Sequence, residues 1–255
     1  MNAADPVPPN SEARVSLEDA LSLANAILGL VEEAAESSPG VPTRDRCDVI
    51  LLAAYGRAYR CFRSMREVAA RGEADDAMVL VRALLGLMLR AVYIVQADAP
   101  EERERRLAQW IGKSRRDQRA MLQELKALGY EFTDDDLRKA DALVADKAWA
   151  GTLPGDKSLA AELGLSQFYS HVYRSASDAA HYGIFTMLEG FETPPQSVTG
   201  EGASVSLDKV DRPRAADSLM LGITVYGAFL ENTDSVVRHE VTDRAAELVR
   251  SQLGM

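Results

Sequence analysis

Residues 74–96, ADDAMVLVRALLGLMLRAVYIVQ, decide the fold of this chain. Their apolar side chains occur around much of the helix circumference, whereas a helix with one side in solvent carries a single apolar stripe. Arg82 and Arg90 interrupt the segment, which favours a buried helix of a globular protein over a membrane span. The pattern therefore predicts a central helix covered by its neighbours, with an inner set of Met78, Leu84, Leu85, Met88, Leu89 and Val92.

Amphipathic segments flank this central helix on both sides. Ser16 is predicted to cap the first of them, with Asp19 at the capping-box position. Thr43 is predicted to open the second, and Gly72 to end it. Gly129 is predicted to close a strongly charged fourth helix that starts at Pro100. The 3.6-residue period predicts helices at about 16–36, 43–71, 74–96, 100–128, 133–149, 166–188 and from 214 onward, the last with a break near Thr242.

Three segments lack a helical period. Residues 1–15 read as a flexible leader, and residues 151–158, GTLPGDKS, as a connecting loop. Residues 190–213 are rich in turn formers and predict either a loop or a small hairpin around 199–202. The fold class is therefore all-α, an antiparallel bundle of about seven helices. Residues 16–255 are expected to form a single helical domain, with its core at about 43–240.

Composition limits the classes of partner. The formal net charge is −10 and the pI near 4.9, which argues against broad nonspecific binding to nucleic acid or anionic membranes. A local basic groove stays open as an alternative. Cys47 and Cys61 are 14 residues apart on one predicted helix, too far for a disulfide bond, which fits a reducing compartment. The start of the chain lacks the pattern of a secretory signal, so the sequence predicts a cytoplasmic protein without membrane contact.

Most motifs of cofactor and metal chemistry are absent from the sequence. It contains no phosphate-binding loop, no dinucleotide glycine fingerprint, no H-E-x-x-H, no C-x-x-C and no G-x-S-x-G. His171, His181 and His239 would be the histidines available to a metal, but no E-x-x-H pair of di-iron bundles accompanies them. The sequence therefore predicts neither a cofactor nor a bound metal.

The densest group of polar residues lies at 169–182, YSHVYRSASDAAHY. In a helix, residues three, four and seven positions apart return to the same side. This spacing places four polar residues on one side, which we call the Arg174 stripe: Arg174, Ser177, Asp178 and His181.

These residue types suit the cleavage of a phosphodiester bond. With an ordinary pKa near 6.5, His181 can accept a proton from a ribose 2′-hydroxyl or donate one to a leaving oxygen. Arg174 can hold the phosphate and stabilise its growing charge. Ser177 can orient either group, and Asp178 can pair with Arg174. Supporting roles are expected for Tyr173, Arg82 and His171.

The R-x6-H spacing of Arg174 and His181 resembles the signature of HEPN domains, helical bundles that include metal-independent endoribonucleases. In addition, residues 76–85, DAMVLVRALL, together with Tyr173-Arg174-x-x-Ser177-x-x-x-His181, are similar to a family of uncharacterised bacterial helical proteins over about 45–240. That family often has a glutamate where Gly86 stands. The resemblance to HEPN domains implies a homodimer that acts on RNA in a defence or toxin-type system.

A second interpretation assigns no chemistry to these residues. Arg82, Arg174, Ser177 and His181 would then form a structural polar network inside the bundle. The protein would be a non-catalytic binding or scaffold protein that engages a protein partner through its charged fourth helix or the 190–213 segment. A third interpretation is that these residues act on a small molecule. These interpretations differ in how far the Arg174 stripe reaches solvent.

Overall fold

The computed structural model describes residues 15–37, 43, 45–131, 133–145, 151–180, 191–192, 204–205, 210–237 and 241–253. Apart from one two-residue strand pair, the regular structure of these residues is helical, which confirms the all-α class. The helices are α1 (Leu17–Ser37), α2 (Arg46–Ala70), α3 (Ala74–Val95), α4 (Pro100–Ala127), α5 (Asp134–Ala145), α6 (Asp156–Glu162), α7 (Ser166–Ala180), α8 (Arg212–Val237) and α9 (Val241–Leu253).

The described part of the chain contains nine helices, two more than predicted. The helix α6 begins inside the predicted loop, at Asp156, and ends beyond it, at Glu162; its seven residues are too few to show a 3.6-residue period. The predicted break near Thr242 corresponds to the boundary between α8, which ends at Val237, and α9, which begins at Val241. The first difference adds a short helix, the second divides the predicted last helix, and the helical class is unchanged.

Side-chain caps fix the starts of the first two helices. The backbone N–H of Asp19 donates to Ser16 Oγ at 3.1 Å, which confirms the predicted cap of α1. Asp45, with an extended φ of −152°, caps α2 by accepting from the N–H of Asp48 at 2.9 Å. The prediction that Thr43 opens α2 was wrong, because Asp45 supplies the carboxylate that satisfies the free N–H groups of the first turn.

Gly72 joins α2 to α3 in a tight turn. Its φ of +80° is a left-handed conformation that favours glycine, as the predicted stop requires. A Cβ atom at this position would overlap the side chain of Val210, so close approach demands glycine as well. The Gly72 carbonyl accepts from the N–H of Asp211 at 3.1 Å. This turn therefore also holds the segment that leads into α8.

The helix α3 lies at the centre of the hydrophobic core, as predicted. It packs against α2, α7 and α8, so apolar residues on several of its sides are covered. The segment is long and apolar enough to cross a membrane, but most of it is buried inside the protein, as expected for a core helix. Its fully buried residues include Ala77, Val81, Leu84, Met88, Leu89, Ala91, Val92 and Ile94.

Helix directions differ from a strictly antiparallel bundle. The three-residue turn makes α2 and α3 antiparallel. In contrast, Ser218 Oγ donates to the carbonyl of Ala74 at 3.2 Å, and Gln96 Nε2 donates to Asn232 Oδ1 at 3.4 Å. The beginning of α3 therefore lies beside the beginning of α8, and the two ends also meet. These two core helices therefore run parallel to each other, whereas α2 and α3 are antiparallel.

The segment between α7 and α8 contains the strand pair. Strands β1 (Phe191–Glu192) and β2 (Ser204–Val205) are antiparallel, with Phe191 opposite Val205. Their pairing falls in the segment where a loop or small hairpin was predicted. The predicted turn at 199–202 lies outside the described residues, as does the predicted leader except Val15.

Candidate functional site

One side of α7 packs against the core and the other side faces solvent. Tyr169, Val172 and Ala176 are buried at intervals of three and four residues, which is the inner face of a helix on α3. His171 lies on the outer side and is exposed. Its carbonyl accepts a hydrogen bond from Ser175 Oγ at 3.0 Å. The packing of α7 therefore fixes which side of the helix a ligand can reach.

The Arg174 stripe begins on this accessible side. Arg174 is exposed, and it forms no ion pair with any side chain that the structure describes. Ser177, three residues later, is half-buried. Asp178 belongs to α7, but its side chain lies outside the described part, and His181 lies outside the described residues altogether. The structure thus places two of the four stripe residues, both within reach of solvent.

Arg82 and Tyr173 meet between α3 and α7. The Arg82 guanidinium donates to the Tyr173 hydroxyl at 3.2 Å, and its carbon lies 5.0 Å from the centre of the ring. Tyr173 stacks in turn on Tyr169, with ring centres 4.8 Å apart. Burial raises the pKa of the Tyr169 hydroxyl above its ordinary value. Arg82 therefore holds the aromatic side of α7, whereas Arg174 faces solvent.

Gly86 and Asp156 meet near the middle of α3. The Gly86 carbonyl accepts a hydrogen bond from Arg90, and Asp156 Oδ1 accepts from Arg90 Nη2 at 2.9 Å. A Cβ atom at position 86 would contact both the Arg90 guanidinium and the Asp156 carboxylate. The carboxylate near this point therefore comes from α6 and pairs with Arg90 rather than with the Arg174 stripe.

A second polar site lies on the other side of α3 and was missed by the sequence interpretation. We call it the arginine pocket, a cavity of about 520 Å³ between α2, α3 and α4. Its sequence signal is the spacing of Arg57, Arg60 and Arg63, which repeats every three residues, but arginines on a helix surface usually face bulk solvent. Its lining residues are Arg57, Arg60, Cys61, Arg63, Ser64, Leu80, Ala83, Leu87, Arg90 and Trp110.

The two cysteines differ in their surroundings. Both are free thiols, and Cys47 is fully buried whereas Cys61 is half-buried in the wall of the arginine pocket. Burial, with nearby Glu104 and Asp45, raises the pKa of Cys47 to about 12. Burial also raises the pKa of Cys61, while the positive charge of Arg57 opposes that increase. Among the described residues, no group of three His, Cys, Asp or Glu could hold a metal ion.

Residues 48–196 match the model of a family described as a family of unknown function, DUF5677. The chain belongs to this family. The DUF5677 match contains both the Arg174 stripe and the arginine pocket, but it ends before α8. The prediction of an uncharacterised helical family is confirmed, although the match ends at residue 196 and the prediction extended to about 240. The comparisons find no match among curated proteins and none among solved structures.

Proposed function

We propose that this DUF5677 member is a HEPN-like protein that cleaves RNA at the Arg174 stripe without a metal ion. The observation that carries the proposal is the exposure of Arg174 on α7, next to the half-buried Ser177. An exposed guanidinium can bind a phosphate from solvent. Helical spacing continues this side of α7 towards residue 181.

The proposed reaction uses His181 as the proton-transfer group. Its neutral imidazole accepts the proton of a ribose 2′-hydroxyl, and the 2′-oxygen attacks the adjacent phosphorus. The bond from phosphorus to the 5′-oxygen breaks, and an imidazolium donates a proton to that oxygen. The products are a 2′,3′-cyclic phosphate and a 5′-hydroxyl. Arg174 binds the non-bridging oxygens, where negative charge increases in the transition state.

The contact between Arg82 and Tyr173 supports the geometry of this site. It fixes the rotation of α7 about its own axis, because Tyr173 immediately precedes Arg174. The rotation of the helix determines whether Arg174 faces solvent or the core. We propose a positioning role for Arg82 and Tyr173, while Ser177 and Asp178 orient the reacting groups. His171, exposed one turn earlier, is proposed as a further phosphate contact.

We further propose that the active protein is a bacterial cytoplasmic homodimer of a defence or toxin-type system. In HEPN domains, which this chain resembles, the site is typically formed by both subunits of a dimer. The imidazole of one protomer would then accept the proton of the 2′-hydroxyl, and the imidazole of its partner would donate a proton to the 5′-oxygen. Both stripes would then face one groove. On a chain with a net charge of −10, such a groove would need a local concentration of basic residues to bind RNA.

The second candidate function is a non-catalytic scaffold, and one observation favours it. Arg82, Tyr173 and Tyr169 form a stacked and hydrogen-bonded group, which is how polar residues fix packing between helices. In that case α7 is held for structural reasons alone. The charged outer side of α4, or the 190–213 segment, would then contact a protein partner.

Cleavage of mixed RNA in EDTA separates the two candidates. The wild-type protein is expected to cut, and His181→Ala and Arg174→Ala are each expected to lower the rate by about 10²-fold or more. The matched controls are His239→Ala and Arg138→Ala, which delete the same groups outside α7. The ribonuclease proposal fails if wild-type protein leaves RNA intact as monomer and dimer, or if the α7 variants cut as fast as the controls.

A further inference from the structure

The arginine pocket concentrates positive charge in an acidic protein. Four of its ten lining residues are arginines, and none is an aspartate or glutamate. The whole chain has ten more acidic than basic residues, so an even distribution would place carboxylates among these arginines. Asp156 of α6 pairs with Arg90 at 2.9 Å, and the other three arginines repel one another unless an anion binds between them. The pocket is therefore suited to a strongly anionic ligand.

The arginines of α2 are available for such a ligand. Arg57 and Arg60 are exposed, and neither forms an ion pair with another described residue. Arg63 lies over the ring of Tyr59, with its guanidinium carbon 5.7 Å from the ring centre. In contrast, arginines on α4 are paired: Arg103, for example, binds the carboxylates of Asp45 and Asp48.

The spacing of these side chains suits consecutive phosphate groups. Arg57, Arg60 and Arg63 follow each other at three-residue intervals, which is a rise of about 4.5 Å per interval along one side of α2. Arg90 on α3 completes the positive lining, and its guanidinium is held by Asp156 at 2.9 Å. A fixed arginine is pre-organised for a bidentate contact with a phosphate.

The remainder of the pocket has a different character. Leu80, Ala83 and Leu87 of α3 contribute an apolar wall, and Trp110 of α4 contributes a planar indole. Ser64 and Cys61 supply the other polar groups of the lining. The volume of about 520 Å³ lies within the roughly 300–1,000 Å³ that small-molecule sites occupy. One part of the cavity thus suits phosphates, and another suits a flat ring.

We propose that the arginine pocket binds a nucleoside polyphosphate, with the phosphates on Arg57, Arg60, Arg63 and Arg90 and the base against Trp110. This site lies on α2, α3 and α4, so it is independent of the proposed RNA cleavage on α7. The ligand is recognised by two features together, charge and a planar ring. Pyrophosphate and adenosine each carry one of these features, and ADP carries both.

Calorimetric titration of the full chain with ADP, pyrophosphate and adenosine tests the proposal. ADP is expected to bind more tightly than either fragment. Arg57→Gln is expected to raise the dissociation constant for ADP by about ten- to a hundredfold, since each charged hydrogen bond contributes substantially. Arg138→Gln makes the same change on exposed α5 and should leave the constant unchanged. Trp110→Leu should weaken ADP binding but preserve binding of pyrophosphate.

Cys61 offers a second measurement on the same protein. It lies in the pocket wall, whereas the one other cysteine, Cys47, is fully buried. A thiol reagent should therefore modify one equivalent of cysteine in the folded protein and two after denaturation. Saturating ADP should slow the first reaction at least about fivefold in wild type and have little effect in Arg57→Gln. Adenosine alone should not protect.

Three results would overturn the proposal. The first is no binding of ADP by a folded protein whose melting temperature matches the wild type. The second is equal affinity for ADP and pyrophosphate, since the ring would then play no part. The third is binding of a five-nucleotide RNA without binding of ADP, which would assign these arginines to an RNA track. RNA cleavage can fail in the α7 variants while ADP binding persists, so the two proposals are separable.

Discussion

Arg82 donates a hydrogen bond to the hydroxyl of Tyr173 at 3.2 Å while its guanidinium carbon lies 5.0 Å from the centre of the same ring. One arginine thereby contacts both the polar and the aromatic part of one tyrosine. The contact joins the central helix α3 to α7, and it acts directly beside Arg174. The stability of this contact therefore bears on the orientation of the Arg174 stripe.

The contact between Arg82 and Tyr173 should stabilise the protein, and the effects of substituting its two residues should be non-additive. Tyr173→Phe retains the ring and loses the hydroxyl, so we expect a loss of about 0.5–1.5 kcal/mol in the free energy of unfolding. Tyr173→Leu combined with Arg82→Met should show a coupling energy of about 0.5–2 kcal/mol in urea denaturation. Tyr130→Phe, at an exposed tyrosine, serves as the control. Strict additivity of the Tyr173 and Arg82 variants would contradict the contact.

The ion pairs of Arg103 should contribute more than any surface pair. Arg103 binds Asp48 at 2.6 Å and Asp45 at 3.0 Å, and the Asp48 side chain is only 2% exposed. Arg103→Met removes this ion pair from a buried carboxylate, so we expect a loss of about 3–5 kcal/mol. Lys113→Met breaks the exposed pair with Asp117 and should cost less than about 1 kcal/mol. Equal losses in chemical denaturation would show that the Arg103 pair is solvated.

Two glycines of α8 should respond in opposite directions to alanine. A Cβ atom at Gly222 would overlap the thioether of Met65 in the core, so Gly222→Ala forces that side chain into another rotamer. We expect a loss of about 1–2 kcal/mol in the free energy of unfolding. A Cβ atom at Gly227 meets nothing within 4 Å, and alanine should stabilise the helix by about 0.5–1 kcal/mol. Thermal unfolding of both variants tests this difference of sign.

Glu102 should give the protein an acid-dependent contribution to stability. Hydrogen bonds from Arg105 and Arg106 lower the pKa of Glu102 from 4.5 to about 2. Because the folded pKa is below the unfolded one, the contribution is present above pH 4.5 and is lost as the pH falls towards 2. Solvent screening limits its size, since the side chain is 30% exposed.

Glu102→Gln should therefore show a shallower loss of unfolding free energy than the wild type between pH 5 and pH 2. Urea denaturation at several pH values in this window measures the slope. Glu101→Gln, one position earlier in the same first turn of α4, is the control. If both variants follow the wild-type slope, the hydrogen bonds of Glu102 do not lower its pKa in solution.

The sequence predicted the limits of a helix best where a buried apolar stretch ends beside a residue that stops or starts helices. The predicted limits of 74–96 for the central helix differ by one residue from Ala74–Val95, because apolar residues and the flanking Gly72 both mark them. The start of α4 at Pro100 was likewise predicted, since proline suits a first helical turn. These signals are local, so they do not depend on which helices pack together.

Relations between distant segments escaped prediction. The parallel direction of α3 and α8 depends on how helices far apart in the sequence pack together, and helical periodicity carries no information about that. The arginine pocket combines residues of α2, α3 and α4 that are unremarkable singly. The sequence could place Arg174 on one side of a helix, but it could not show whether that side faces solvent. Only the packing of α7 on α3 shows that Arg174 is exposed.

The parallel pairing of α3 and α8 determines when the core can close during synthesis. Val95 ends α3, and Val237 ends α8, 142 positions later. At about 5–20 residues per second, a ribosome needs roughly 7 to 30 s to cover that distance. During this interval the most apolar helix of the chain lacks its parallel partner. The nascent protein therefore passes through a stage in which chaperone binding or aggregation competes with folding.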